Sequence, residues 1–167
     1  RVDEGPDFYA PQVLAASPDE PRTLMWGWSW DESRPAADVL ASGWAGALTY
    51  ARSVSFRDGV LQVEPVAEVA TLRTSVLFTG ADEFVVPIDE RAFEVEASGT
   101  VELVSVDGGA ETVVADIEGG RILVDGSLVE VFGTGAVTKT VHSYPTPTSH
   151  FVVRPRVSSV TVHKLAL

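Results

Sequence analysis

The feature that most constrains this chain is the near absence of helical periodicity. In its place stand short runs of alternating apolar and polar residues, rich in valine and cut by Gly, Pro, Asp and Ser at all-β spacing. Val101-Glu102-Leu103-Val104-Ser105-Val106 and Leu128-Val129-Glu130-Val131-Phe132 interleave in this way, which predicts strands with one apolar and one wet face. The intervening Asp107-Gly108-Gly109, Glu118-Gly119-Gly120 and Asp125-Gly126-Ser127 supply residues that tolerate positive φ. An all-β chain ending in an antiparallel β-sandwich is the fold these patterns predict.

Strands are expected over Phe8–Leu14, Thr23–Trp30, Ala47–Phe56 and, after an Arg57-Asp58-Gly59 turn, Val60–Val63. Further strands are expected over Ala92–Ala97, Thr100–Val106, Glu111–Ile117, Arg121–Val124, Leu128–Phe132, Val137–Tyr144, Ser149–Val153 and Ser158–Leu165. Pro65–Leu72 reads as one short helical or 3₁₀ turn, because Val66, Val69 and Ala70 would share a face. Asp31–Ser42 reads as a loop. Composition shifts near residues 52–60: the tryptophans all precede that stretch, and the valine-rich runs follow it. A boundary is placed there, separating residues 1–52 from residues 60–167.

With 45 % hydrophobic residues the chain can bury a core and is not disordered. It has no apolar run of about 18 residues, so no spanning helix is expected. The 24 acidic and 12 basic residues leave a net charge of −12, which disfavours nucleic acid or an anionic membrane as a partner and is compatible with a neutral ligand. Cysteine is absent, which removes disulfides and thiolate chemistry. A reducing compartment such as the bacterial cytoplasm is thereby allowed, and secretion stays open. The opening Arg1-Val2-Asp3 has neither methionine nor an apolar leader, and it is read as lying inside a longer polypeptide.

The candidate binding residues are aromatic. Trp26, Trp28 and Trp30 are two apart and share a face on a strand. Spacing favours a packed aromatic layer for Trp26 and Trp28. Trp30, at the strand's end, is the candidate for a half-exposed platform under the apolar face of a sugar. Asp7 and Tyr9 also share a strand face, opposite Phe8 and Ala10. They read either as hydrogen-bonding partners for vicinal hydroxyls or as the polar face of an edge strand. No carboxylate pair stands out as catalytic: Asp82-Glu83 and Asp89-Glu90 look like turns, and Asp125 and Glu130 flank a hairpin. His142, His150 and His163 do not cluster, so neither a metal nor another cofactor is expected. No Gly-x-Ser-x-Gly elbow or glycine-rich phosphate loop occurs, although spacing alone leaves a Ser/His/Asp arrangement open.

The runs DEGPDFYAPQ, LMWGWSW and GWAGALTYARSVSFRDGVLQVEPVAEVATLR, followed by GGRILVDGSLVEVFGTGAVTKTVHSYP, together resemble glycoside hydrolase family 32, the β-fructosidases. The last run carries an Asp-x-Ser-x-x-Glu-x-Phe hairpin, here Asp125-Gly126-Ser127-Leu128-Val129-Glu130-Val131-Phe132. The resemblance implies a five-bladed β-propeller followed by a β-sandwich. Residues 1–52 would be the last propeller strands and residues 60–167 the sandwich. It implies a retaining hydrolysis of sucrose or fructans through three carboxylates, whose motifs would lie upstream of Arg1. It assigns no catalytic residue to this chain and places Asp7, Tyr9 and Trp30 at the rim of the fructosyl subsite. Where the family usually has proline, Ala51 precedes Arg52. The implied partners are the sugar and the chain's own propeller. A non-catalytic sugar-binding module and a structural sandwich, forming a homodimer through its apolar surface, are the alternative readings.

Overall fold

The computed structural model describes residues 1–31, 33–135 and 137–166, and it is all-β with antiparallel pairing. A first sheet comprises β1 (Phe8–Leu14), β2 (Thr23–Ser29), β3 (Ala47–Leu48), β4 (Arg52–Arg57) and β5 (Val60–Pro65). Its order is β1-β2-β4-β5, with β3 beside β2. The run expected over Ala47–Phe56 is therefore two strands. Asp58 and Gly59 both take positive φ, 53° and 78°, which is the geometry of a tight hairpin turn. That turn keeps β5 in the same sheet as β4, with Arg57 opposite Val60. The first sheet thus runs on through Pro65.

One local element differs from expectation and one matches it. The supposed loop at Asp31–Ser42 contains α1 (Ala36–Ser42), preceded by Pro35. It ends on Gly43 at φ 75°, whose N–H donates to the Val39 carbonyl at 3.2 Å. Seven residues are too few to display a helical period, and only this proline–glycine bracket signals the element. The connector after β5 is a 3₁₀ helix, Ala67–Leu72, as its spacing predicts.

The second sheet comprises β6 (Arg73–Gly80), β7 (Phe84–Val85), β8 (Ala92–Asp107), β9 (Ala110–Asp125), β10 (Leu128–Gly133), β11 (Val137–His142), β12 (His150–Pro155) and β13 (Val160–Leu165). β6 and β7 are not among the expected strands. β8 and β9 are each 16 residues long and merge runs that the alternation divides in two. Their ladder shifts register between Ala97 and Thr100, opposite Gly119 and Gly120 at φ 81° and 117°. The hairpin bends there and serves two layers. Its Ala92–Ala97 portion carries β13, while Val101–Val106 carries β12. One layer is then β6-β13-β8-β9-β10-β11 and the other β7-β12-β8-β9. This is a β-sandwich. Phe93, Val95, Ile122, Val129 and Val162 from one layer pack on Val101, Leu103, Ile117, Phe151 and Val153 from the other in a single buried cluster. The Phe93 and Phe151 rings meet edge to face across it, 5.6 Å apart.

The alternation in β10 predicts one wet face, and the structure corrects this: Leu128 to Phe132 are all buried. Val129 and Val131 face the sandwich core, while Phe132, with Leu123 of β9, packs against Leu24, Val66, Val69 and Trp26 in a second cluster under the first sheet. The face read as wet is covered by the first sheet.

Glu130 on that covered face is 0 % exposed, and Arg52 of β4 meets it. Arg52 Nη2 donates to Glu130 Oε2 at 2.6 Å and to Thr140 Oγ1 at 2.7 Å, and Nη1 donates to Asp3 Oδ2 at 2.8 Å. The Tyr50 N–H donates to Glu130 Oε1 at 2.7 Å. The guanidinium also lies between the rings of Phe8 and Phe132, 4.5 and 5.2 Å from their centroids. Buried charges persist where their hydrogen-bonding capacity is filled in this way.

Residues 3–7 run along the outer edge of β11. The Glu4 and Asp7 N–H groups donate to the carbonyls of Thr138 and Thr140 at 2.8 and 3.2 Å. In return, the carboxylates of Asp3 and Asp7 accept from the N–H groups of Thr140 and His142 at 3.0 and 2.8 Å. An edge that would otherwise present open backbone groups is closed.

Candidate functional site

The two sheets converge beside the end of β2, where Tyr9, Trp28 and Trp30 are exposed. Tyr9 is 59 % exposed and Trp30 46 %. Their rings meet edge to face, 5.3 Å between centroids at 77°. Trp30 is half-exposed, as expected. Trp26 packs on the second cluster, also as expected. Trp28 departs from the sequence reading, which places it in packing: it is 37 % exposed. Its indole covers Gly46, where an added Cβ would come within 2.6 Å of the ring. Trp28 and Trp30 line a cleft of about 270 Å³ with Asp31, Val39, Ala45 and Gly46. The α1 helix supplies one wall of this cleft through Val39.

Asp7 sits beneath the pair rather than beside it. Its Oδ2 accepts from the His142 N–H and its carbonyl accepts from the Trp30 N–H at 3.1 Å. The structure thus brings Asp7, Tyr9 and Trp30 into one neighbourhood, with Asp7 committed to the protein.

Behind the aromatic pair lies a polar cluster that the sequence does not reveal. Tyr144 donates its hydroxyl hydrogen to Asp31 Oδ1, and Asp31 Oδ2 forms an ion pair with Arg34 Nη2 at 2.5 Å. The Arg34 guanidinium lies 4.0 Å over the Trp44 ring and donates to the Trp44 carbonyl at 2.6 Å. Burial alone would raise the Asp31 carboxyl, but the Tyr144 hydrogen bond and the Arg34 guanidinium outweigh it and hold the group below its ordinary value. Burial, with Asp31 beside it, pushes the Tyr144 phenol up. A depressed carboxyl stabilises the fold above the unfolded-state value, and that contribution is lost as pH falls through the folded one. Asp31→Asn is therefore expected to flatten the acid limb of a plot of unfolding free energy against pH. An acid limb as steep as in the unmodified chain would remove Asp31 from this role.

His142 joins the sheets. Its Nε2 lies 2.9 Å from Ser29 Oγ and its Nδ1 3.2 Å from Ser127 Oγ, and its ring stacks on Tyr144 at 5.2 Å. Ser29 is fully buried and both ring nitrogens face serine hydroxyls, so this is a strut between sheets and not a nucleophile with its base. Among the described residues no three His, Asp or Glu side chains are grouped to hold a metal ion. A larger cavity of about 660 Å³ follows the seam between β5 and β9, near Gln62, Glu64 and Phe132. The cations on its wall are already paired, Arg22 with Glu20 and Glu68, and Arg121 with Glu94.

The family model described as the glycosyl hydrolases family 32 N-terminal domain matches residues 1–65, the span that ends with β5. Over this span the chain is similar to glycoside hydrolase family 32. Its similarity to family 32 sequences is substantial but partial. It is 39 % identical over 100 residues to a probable sucrose-6-phosphate hydrolase of Psychromonas ingrahamii, covering 58 % of this chain and 17 % of that protein. It is 42 % identical over 73 residues to a raffinose invertase of Escherichia coli, covering 44 % of this chain and 15 % of that one. The chain thus spans less than a fifth of these curated relatives. Two solved structures share the fold. The family 32 β-fructofuranosidase of Bombyx mori superposes with a TM-score of 0.74 at 20 % identity, over 98 % of this chain and 42 % of that one. The fructan 1-exohydrolase IIa of Cichorium intybus gives 0.74 at 16 % identity, over 99 % and 49 %. Family 32 structures of this kind end in a β-sandwich, as β6 to β13 do here.

Proposed function

We propose that this chain is the C-terminal part of a β-fructosidase that hydrolyses β-fructofuranosidic bonds of sucrose or fructans with retention. The first sheet is then the closing part of the propeller, and the strands from β6 onward are the sandwich packed against it. Tyr9 and Trp30 form part of the wall that receives the fructosyl ring. The observation that carries this reading is the exposed Tyr9–Trp30 contact on the sheet spanned by the family match. A ring-shaped apolar surface with a phenol and an indole N–H at its margin suits a sugar, whose hydroxyls hydrogen-bond while its C–H face stacks.

Retaining hydrolysis needs two carboxyl groups roughly 5–5.5 Å apart, one nucleophile and one acid/base. Asp7 Oδ2 and the Asp31 carboxylate, beside the aromatic pair in sequence, are engaged by His142, Tyr144 and Arg34. In this reading the reacting carboxylates come from sequence outside these 167 residues, and the reading frame that contains this chain carries them upstream. A frame without them would leave the second reading, a sugar-binding sandwich without catalysis. That reading is favoured by the same exposed aromatic wall.

Calorimetric titration of the chain with sucrose, inulin and levan tests the shared part of both readings. Millimolar binding is expected, weakened about tenfold in Trp30→Ala, the equivalent of one aromatic contact worth about 1.4 kcal/mol. Absence of heat with all three sugars would remove the rim from this chain.

A further inference from the structure

Asp7 is held within the protein through three of its polar atoms, the N–H, the carbonyl and carboxylate Oδ2. Its N–H donates to the Thr140 carbonyl, its carbonyl accepts from the Trp30 N–H, and its carboxylate Oδ2 accepts from the His142 N–H. Two of these bonds reach β11 of the sandwich, and the third reaches the first residue beyond β2. The residue therefore ties three segments of chain at one point.

The neighbours of Asp7 continue the tie. Phe8 stacks its ring 4.5 Å from the buried Arg52 guanidinium. Across β2 the ring lies so close to Gly27 that an added Cβ there would fall 2.0 Å from it. Immediately past Tyr9 the ladder with β2 loses register, between Tyr9 and Gln12, and Ala10 sits at φ 43°. Such a bulge re-aims a strand and leaves it less constrained. Tyr9 is thus held firmly on its Asp7 side, with the irregularity on the other. The same Asp7 fixes the backbone of Trp30. The two rings meet 5.3 Å apart beside these anchors.

We propose that Asp7 is a positioning residue, whose clamp on β11 and on the Trp30 backbone sets where Tyr9 and Trp30 meet. Its functional consequence rests on the reading of those rings as a fructoside wall, but the geometric claim does not. The sandwich in this scheme shapes the wall through β11 although it contributes no ring to the pair.

The test uses the whole chain labelled with 5-fluorotryptophan, with the Trp30 fluorine resonance identified by Trp30→Phe. Without any sugar, Asp7→Ala is expected to shift the Trp30 resonance in the same sense as Tyr9→Ala. Asp7→Asn keeps an acceptor oxygen for the His142 N–H and is expected to restore the signal. Asp7→Glu carries the carboxylate one carbon further out and serves as the displaced comparison should Asp7→Ala not fold; it too is expected to move the resonance. Titration with sucrose then gives weaker binding in Asp7→Ala and near-normal binding in Asp7→Asn. An unmoved Trp30 resonance in Asp7→Ala, or in Asp7→Glu if only that variant folds, would overturn the proposal. Weakened sucrose binding beside that unmoved resonance would make Asp7 a direct sugar ligand instead. If no variant and no unmodified chain binds sucrose, the fructoside reading fails, and the sugar-free resonance still decides the clamp.

Discussion

Arg52→Ala is expected to cost about 3–5 kcal/mol of folding stability, the scale of a buried ion pair broken from one side. The cause is what remains. Glu130 is fully buried and would lose the two Arg52 donors on Oε2, keeping only the Tyr50 N–H on Oε1. Asp3 fares better, because Gly5 N–H, Thr140 N–H and the Thr140 hydroxyl still donate to it. The penalty therefore falls mainly on Glu130. Burial pushes that carboxyl above its ordinary value, while Arg52 and the Tyr50 N–H pull it the other way. Removing Arg52 leaves burial the stronger influence. A carboxyl whose folded pKa exceeds its unfolded one favours the fold as pH falls, so the deficit of Arg52→Ala should shrink in mild acid. The double variant Arg52→Met with Glu130→Leu removes both charges and should recover much of the loss. Urea unfolding at neutral and mildly acidic pH reads all of this. A loss below about 1 kcal/mol, the scale of an exposed pair, would mean that the network contributes no more than a surface contact.

Gly120→Ala is expected to cost about 2–4 kcal/mol, combining a strained positive φ with backbone crowding. At φ 117° any side chain is unfavourable, and here the added Cβ would lie 2.1 Å from the Phe132 carbonyl oxygen. The crowding is with backbone, which cannot rotate away. Gly120 sits where β9 bends from one sandwich layer to the other, so relief would require moving both layers. Gly108→Ala is the natural comparison: φ is also positive, 57°, but the hairpin tip is open. It should cost about 1 kcal/mol. Equal losses for the two in thermal unfolding would show that the bend carries no special constraint.

Much of the architecture can be read from the chain because alternation and turn chemistry are local. The hairpins around Asp58-Gly59, Gly108-Gly109 and Gly126 lie where their glycines place them. The departures have physical causes. The 16-residue strands β8 and β9 look like four because their bend interrupts the period. β6 is an edge strand exposed over much of its length, so Arg73–Gly80 shows no clean alternation. β10 is covered on both faces, so Glu130 looks like a solvated residue until the first sheet is placed over it. At the candidate site, Tyr9 and Trp30 are legible from short runs. The cluster behind them joins Asp31 to Tyr144, 113 positions away, and no local pattern signals such a pairing.

The segment that finishes β11 does so with carboxylates as well as with backbone. A bare strand margin accepts almost any extended peptide, since every chain offers the same repeating amide. Here two of the acceptors, Asp3 Oδ1 and Asp7 Oδ2, belong to side chains. Only a peptide with acids at that separation reproduces the docking. Sequence selectivity is thereby written into a surface that ordinarily has none, and a stray neighbour in a crowded solution finds a margin already matched to one correct occupant.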